Sequence, residues 1–294
     1  MNDFRIKVFL SVIKHLSFTK ASKELLISQP AISKHISELE NGYGVKLFER
    51  NNNKIVPTEA ALLFRKYAQE IESKYRDLEY EMSVLSKNDK GRLVIGASTT
   101  IAQYVLPYII SAYKKRYENI ELSLMTGNTE YIENLIAEKS IDLGIVEGAT
   151  HKREFSYLRF SLDELVLVAS PQWMTKDTIK VEELLSIPII LREEGSGTLE
   201  VIKNVLATHS VKLTDLNVIM RLGSSEAIKR YVAAGDSCAF MSIAAVTDEL
   251  KRGELTVIDI EGVEMNREFS FITNSGDHNR FVDRFINFAL FHNK

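Results

Sequence analysis

The chain has 294 residues, of which 45% are apolar and 26% charged, and it carries a net charge of −3. That is the profile of a globular protein with room for two or three compact domains. It contains no run of 18 uncharged apolar residues, and Asp3, Arg5 and Lys7 interrupt the N-terminus where a signal peptide needs an apolar core. A transmembrane helix is therefore not expected, and the sequence predicts a cytoplasmic protein without membrane contact.

Residues 3–14 read as a first helix with Phe4, Val8, Phe9 and Val12 on one face. Residues 17–40, SFTKASKELLISQPAISKHISELE, follow as helix, tight turn and helix. Ala21, Leu25 and Leu26 recur at helical spacing, and Ile27-Ser28 breaks the run. Ser28 suits an N-cap, and Pro30 falls in the first turn of the second helix, where a missing N–H costs nothing. Ala31-Ile32, Ile36 and Leu39 make its apolar stripe, leaving Gln29, Ser33, Lys34 and Ser37 outward. A helix-turn-helix reader needs this arrangement, an apolar back and a polar helix N-terminus offered to base edges. An ordinary surface hairpin would share it.

Gly42–Arg50 reads as a turn into a short strand, Asn51–Lys54 as a polar turn and Ile55-Val56 as the return strand. Such a hairpin is a wing whose Arg50 and Lys54 could reach phosphates or a minor groove, or else a solvated stabilising loop. Residues 1–56 hold nine Lys/Arg against five Asp/Glu, a net of +4, which leaves −7 on the remainder of the chain. A basic end on an acidic body suits a protein that meets phosphates at one end only.

Pro57-Thr58 opens a long helix, about 58–87. Along it Ala61, Phe64, Ala68, Ile71, Tyr75, Leu78, Met82 and Leu85 alternate spacings of three and four, the seam of a coiled coil. Such a helix pairs with a second copy or docks on the C-terminal body. Asn88-Asp89-Lys90-Gly91 reads as a hinge.

Beyond Arg92, strand and helix patterns alternate. Strands are predicted at 93–97, 120–125, 141–147, 164–170, 187–192, 217–222, 238–241, 256–259 and 267–273. Helices are predicted at 101–117, 131–139, 181–186, 198–209, 225–234 and 279–291. The alternation predicts parallel sheets covered by helices, in two lobes, with ligands held beyond the carboxyl ends of strands.

Four strand-to-helix turns are rich in glycine and hydroxyls: Gly96-Ala97-Ser98-Thr99-Thr100, Gly127-Asn128-Thr129, Gly195-Ser196-Gly197-Thr198 and Gly223-Ser224-Ser225. Helix N-termini offer free N–H groups and partial positive charge, so several around one cleft would grip a small anion. Each alone is also an ordinary cap.

Catalytic signatures are lacking. There is no G-x-S-x-G elbow, no H-E-x-x-H, no Cys/His metal spacing, and Gly195-Ser196-Gly197 lacks the Gly-Lys of a phosphate loop. Glu147, Glu193 and Glu194 have no evident acid–base partner. The six histidines (15, 35, 151, 209, 278, 292) are scattered; His35 falls in the second helix of the reader and could touch phosphate. Cys238, the one cysteine, permits no internal disulfide and sits in an apolar run as a small buried hydrophobe. No enzyme activity, cofactor or metal is expected.

The motifs SFTKASKELLISQPAISKHISELE, GVKLFER and PTEA closely resemble the N-terminal module of LysR-type transcriptional regulators. RLVIGASTTIAQYVLP, IDLGIVEG, LREEGSGT and GSSEAIKRYVAAG resemble their effector domain, in the branch of sulfur-assimilation and carbon-fixation regulators. The resemblance covers essentially the whole chain. It implies an α+β protein: a winged helix-turn-helix (1–57), a linker helix that dimerises (58–88), and a two-lobed α/β effector domain like a periplasmic binding protein (89–294). Lobe I would hold about 91–162 and 267–294, and lobe II about 163–266.

By position, the resemblance assigns Gln29, Pro30, Ser33 and Lys34 to bases or nearby backbone, and Thr19, Arg50 and Lys54 to phosphates or the minor groove. It assigns Ser98, Thr99, Thr100, Asn128, Thr129, Arg192, Ser196, Thr198 and Ser224 to the effector cleft. Implied partners are double-stranded DNA carrying an interrupted palindrome, a small anionic effector, a homodimer through the linker helix assembled into a tetramer, and RNA polymerase. Three departures stand out: an Asn-rich wing tip where arginine is common, Ala60-Ala61 where Ala-Gly is usual, and Asp236-Ser237-Cys238 in place of a Gly-rich segment. The alternative is a cytoplasmic small-molecule binding protein or enzyme whose N-terminal module serves protein interaction.

Overall fold

The computed structural model describes residues 4–51, 54–85, 91–148, 151–276 and 279–292. Asn52, Asn53, Asn88–Lys90 and His278 lie outside the described residues, and so do the wing tip and hinge expected there. Two compact units emerge: Met1–Gly91 with Glu138–Ser140, and Arg92–Ala137 with Ile141–Lys294.

The first unit runs α1 (Phe4–His15), α2 (Phe18–Leu25), α3 (Gln29–Tyr43), β1 (Phe48–Asn51), β2 (Lys54–Pro57) and α4 (Glu59–Leu85). The caps account for the boundaries. The Ser17 hydroxyl accepts from Lys20 N–H at 3.2 Å, and the Ser28 hydroxyl from Ala31 N–H at 3.3 Å. Leu26 ends α2 in the left-handed region at φ 54°, and Gly44 ends α3 at φ 69°. Leu26 was expected on the apolar stripe of α2. It is instead 91% exposed, because the tight turn rotates it off the helix face. Phe4 is likewise exposed, whereas Val8, Phe9, Val12, Ala21, Ile32, Ile36, Leu39, Leu47 and Ala61 make a common core. At its centre the Phe9 ring meets Phe64 edge-on at 4.6 Å.

The wing is anchored by one buried carboxylate. Glu40 on α3 accepts from the amides of Leu47 (2.9 Å) and Phe48 (3.3 Å) and pairs with the Lys46 ammonium at 2.6 Å. Thr58 adds a hydroxyl bond to the Lys46 carbonyl at 2.7 Å. β1 and β2 then pair antiparallel, with Arg50 opposite Ile55.

The 27-residue α4 spans ~40 Å. Its seam divides: Ala61 and Ala68 are buried in the core of the unit, while Ile71, Leu78 and Met82 are 42%, 53% and 58% exposed.

The second unit continues with β3 (Gly91–Ser98), a π-helical turn (Ile101–Val105), α5 (Leu106–Arg116), β4 (Ile120–Gly127), α6 (Thr129–Ala137), β5 (Leu143–Glu147), β6 (Phe155–Ala169), β7 (Thr178–Ile179), α7 (Val181–Leu184) and β8 (Ile189–Arg192). Then come α8 (Gly197–Thr208), a 3-10 turn (Leu213–Asp215), β9 (Val218–Leu222), α9 (Ser225–Ala234), β10 (Cys238–Ser242), α10 (Ile243–Arg252), β11 (Thr256–Ile260), β12 (Asn266–Asn274) and α11 (Arg280–His292).

The strands form one path, β4-β3-β5-β12-β6-β10-β8-β9, with β11 beside β6 and β7. β3–β5, β8–β10 and β8–β9 are parallel, as the alternation predicts. β12 runs antiparallel to both β5 and β6, and β6 antiparallel to β10 and β11, so the sheets are mixed. The cause is β6, whose residues 155–164 pair with β12 and residues 165–169 with β10. It passes from one half-sheet into the other without a crossover helix. The first half of β6, the short β7 and the helix α10 escape the strand-and-helix pattern read from the sequence. The helix expected over 101–117 opens as a π turn. Cys238 is fully buried, and burial pushes its thiol up to about 12, which keeps it protonated and unreactive.

Burial works against ionisation of Glu40, but the Lys46 ammonium and the two wing amides outweigh it and hold the carboxyl below its usual value. A lowered folded-state pKa means that this stabilisation is present above the unfolded value and is lost as pH falls through the folded one. Glu40→Gln should therefore cost roughly 1–3 kcal/mol at neutral pH, and less in acid, as read by urea unfolding.

Candidate functional site

In the first unit, the residues expected to read DNA gather around the start of α3. Gln29 and Pro30 occupy its first two positions and are exposed, Ser33 is half-buried one turn on, and Lys34 is 76% exposed. Thr19, exposed on α2, donates to the Gln29 side-chain oxygen at 3.3 Å and fixes that amide. Lys34 stands 4.0 Å from Glu38, a solvated pair that leaves the ammonium free to meet a phosphate. Lys20 and Lys23 are exposed on the neighbouring helix. The backbones of Arg50 and Lys54 lie in β1 and β2; their side chains lie outside the described residues.

In the second unit, three of the seven hydroxyls expected to line a cleft converge, and they converge on a carboxylate of the chain itself. Glu147, at the carboxyl end of β5, is 2% exposed. One of its oxygens accepts from Ser98 Oγ at 2.5 Å, the other from Thr100 Oγ1 at 3.4 Å and Thr198 Oγ1 at 3.1 Å. Arg267 Nη1 lies 3.4 Å from that second oxygen and donates to Thr198 Oγ1 at 2.8 Å. Arg267 Nε pairs with Asp163 at 2.6 Å, whose other oxygen accepts from Ser242 at 2.7 Å. Two carboxylates and one guanidinium are thus buried together, each held by hydrogen bonds, as a buried charge requires.

The cradle draws on both half-sheets. Ser98, Thr100 and Glu147 stand at the ends of β3 and β5, while Thr198 opens α8. The same halves are tied by Glu130 N–H to the Gly195 carbonyl at 3.1 Å and by the Asn128 side-chain amide to the Glu194 carbonyl at 3.2 Å. Thr129 donates to the Glu147 carbonyl at 2.7 Å. Gly197 packs so closely there that a Cβ would lie 1.9 Å from that carbonyl oxygen. Two donors in the area are buried without a partner: the Ser196 hydroxyl and Arg267 Nη2.

The other expected cleft residues have other work. Thr99 bonds the Gly127 carbonyl at 3.1 Å, and Asn128 and Ser224 cap α6 and α9. Arg192 is 4% exposed and grips Glu193 with two bonds, at 2.8 and 3.0 Å. Burial opposes the Glu193 charge, yet the Arg192 guanidinium holds its carboxyl below the usual value. Sequence reasoning missed Arg267, Asp163 and the role of Glu147. A charged residue bordering an apolar strand reads as a solvated strand end, and only the fold shows these three facing one another. Among the described residues no cluster of His, Cys, Asp and Glu could hold a metal ion, and no helix is long and apolar enough to cross a membrane.

The chain matches two family descriptions, "Bacterial regulatory helix-turn-helix protein, lysR family" over residues 4–62 and "LysR substrate binding domain" over residues 86–292. It is 32% identical over 291 residues to a probable RuBisCO transcriptional regulator of Thalassiosira pseudonana, covering 96% of this chain and 95% of that protein. The regulatory domain of Synechocystis PCC6803 CcmR in complex with 2-PG is 28% identical with a TM-score of 0.63, covering 70% of this chain and 98% of that one. Full-length CbnR complexed with its target DNA shares the fold, with a TM-score of 0.68 at 19% identity, covering 98% and 99% of the two chains.

Because a Cβ at position 197 would strike a backbone carbonyl and not a flexible side chain, the α8 loop must withdraw to accept one. Gly197→Ala is expected to lower the melting temperature of the second unit, at a cost of about 1–3 kcal/mol, as read by calorimetry.

Proposed function

Since the chain belongs to the LysR-type transcriptional regulators, DNA-binding proteins with an effector-binding domain, we propose that it reads an interrupted palindrome in duplex DNA with paired α3 helices and answers to a small anionic metabolite held in the second unit. The observation that carries the reading is the start of α3, where Gln29, Pro30 and Lys34 stand exposed beside half-buried Ser33 over an otherwise buried helix back. A helix N-terminus so equipped offers hydrogen-bond groups to base edges and positive charge to phosphates. Thr19, Arg50 and Lys54 supply further backbone or minor-groove contacts.

LysR regulators act as oligomers. Here the exposed Ile71, Leu78 and Met82 support pairing of the linker helix, 58–88, with a second copy, and tetramers and contact with RNA polymerase follow from the same family pattern. The protein works in the cytoplasm, with residues 1–57 as the reader and 89–294 as the sensor.

The effector reading rests on the cradle. Hydroxyls from both half-sheets and the Arg267 guanidinium form a set of donors suited to an oxyanion, and in this structure the set is occupied by Glu147. The Glu147 carboxylate stands where the acid group of an effector would bind, so an effector competes with it for the same donors. The population of lobe arrangements shifts by as much as the effector favours one of them.

Ser33→Ala and Lys34→Ala should each weaken operator binding about 5- to 100-fold in fluorescence anisotropy at fixed salt, with Lys34→Ala also reducing the salt slope by about one. Unchanged affinity and slope in both variants would refute the DNA-reading assignment. Glu147→Gln, which removes the internal charge and keeps the shape, should tighten binding of inorganic sulfate to the full-length protein about tenfold, as read by calorimetric titration.

A further inference from the structure

We propose that Tyr104 is a positioning residue that couples the cradle around Glu147 to α9 and α10, so that a change in the cradle passes to the other half-sheet through one phenol. This coupling gives the cradle, read above as the effector seat, a mechanical output. It is also a property of the chain without ligand, so it stands or fails apart from that reading.

Tyr104 lies in the π-helical turn Ile101–Val105, closed by a bond from Leu106 N–H to the Ile101 carbonyl. Such turns are rare and occur mostly singly, often at functional sites. This one starts immediately after Thr100, so two cradle donors, Ser98 and Thr100, lead straight into it. The turn follows β3 and belongs to that half-sheet, yet the Tyr104 side chain engages the other half. Its ring packs against the apolar cluster of Val168, Ile190, Ile228, Val232 and Met241. Among the described residues it is the one member of that cluster drawn from the β3 half-sheet.

The polar end of the ring is held as well. The phenol donates to Glu226, in the first turn of α9. Burial, with the Glu226 carboxylate beside it, raises the phenol's pKa, so it keeps the proton it donates. Lys229, one turn along α9, places its ammonium 5.1 Å from the centre of the same ring. That side chain is only 9% exposed. It pairs with Glu226 at 2.7 Å and with Glu249 of α10 at 3.1 Å, and it donates to the Ala245 carbonyl at 3.1 Å. A buried ammonium tolerates little displacement, because water does not replace the partners it loses. Tyr104, α9 and α10 therefore move together. The rival route from the cradle runs through the loop before α8, where Arg192 donates to the Ser225 hydroxyl of α9 at 3.3 Å.

The test is amide hydrogen exchange, read by mass spectrometry on the full-length protein without ligand. Glu147→Gln weakens the cradle from within. In the otherwise native chain it should speed exchange in residues 101–106 and in α9 and α10 by about 2- to 30-fold, and leave residues 178–184, in β7 and α7, unchanged. Tyr104→Phe keeps the ring and removes the hydroxyl. On that background Glu147→Gln should still speed exchange in 101–106, but α9 and α10 should exchange as they do in Tyr104→Phe alone. Glu226→Ala cuts the link at its other end and should act in the same way; it serves if Tyr104→Phe does not fold, as Thr100→Val serves for Glu147→Gln. Transmission that survives Tyr104→Phe runs through Arg192 and overturns the coupling. So does unchanged exchange in α9 and α10 when the cradle is altered, or an equal rise at 178–184, which marks general loosening. If transmission is lost in Tyr104→Phe while Glu147→Gln fails to gain sulfate affinity, the coupling stands and the effector reading of the cradle falls.

Discussion

A carboxylate buried at the end of a strand governs this molecule. Glu147 would be ruinous at 2% exposure without partners, because an ion taken out of water loses far more than one hydrogen bond returns. Three hydroxyls and one guanidinium are arranged to hold it, and a second carboxylate, Asp163, holds the guanidinium. Those hydroxyls come from the turns after β3 and at the start of α8, and the guanidinium from the first residues of β12. Satisfying one charge thus brings together segments far apart in sequence, and it fixes how the two half-sheets face each other across the cleft.

The first unit uses the same device on a smaller scale. Glu40 sits inside α3 and reaches the amides at the start of β1, so a single buried acid fixes the angle at which the wing leaves the reader helix. The exposed face of α3 can then be polar and unconstrained, because its orientation is set from behind. Exposed polar residues with little structural duty, such as Lys34, stand on a helix whose buried side, Ile32, Ile36 and Leu39, carries the stability.

Local chemistry made much of this legible. Ser28 and Pro30 mark the start of α3 through rules of capping and backbone conformation that act within four residues, and α3 begins where they place it; its end runs to Tyr43, into the residues read as a turn, with Gly44 as the cap. Apolar spacing located α9 between the same two residues. Of the hydroxyl-rich turns, those carrying Ser98, Thr100 and Thr198 meet at one carboxylate, whereas Ser224 caps its own helix, a difference that local sequence does not carry. What lay hidden was non-local. The first half of β6, residues 155–163, mixes apolar side chains with Ser156, Arg159, Ser161 and Asp163, and it stands out as a strand only when β12 is laid beside it. Arg267 and Asp163 each look like solvated strand ends, and their pairing spans about a hundred residues of chain. Leu26 misled for the opposite reason: helical spacing placed it on the apolar face, and a single left-handed residue took it off.

The path of the chain between the half-sheets sets the manner in which the cleft can move. β6 enters the second half-sheet as a continuous strand and β12 returns beside it, each hydrogen-bonded along its length, with one irregularity at Phe269/Ser270. A connection of this kind has no slack. Opening must be absorbed as added twist and bend in a two-stranded ribbon, with the irregular step as its softest point, so the lobes behave as the arms of a leaf spring and not as weights on a string. Displacement is then small, directional and resisted in proportion to its size, which lets a ligand of a few atoms produce a graded mechanical output.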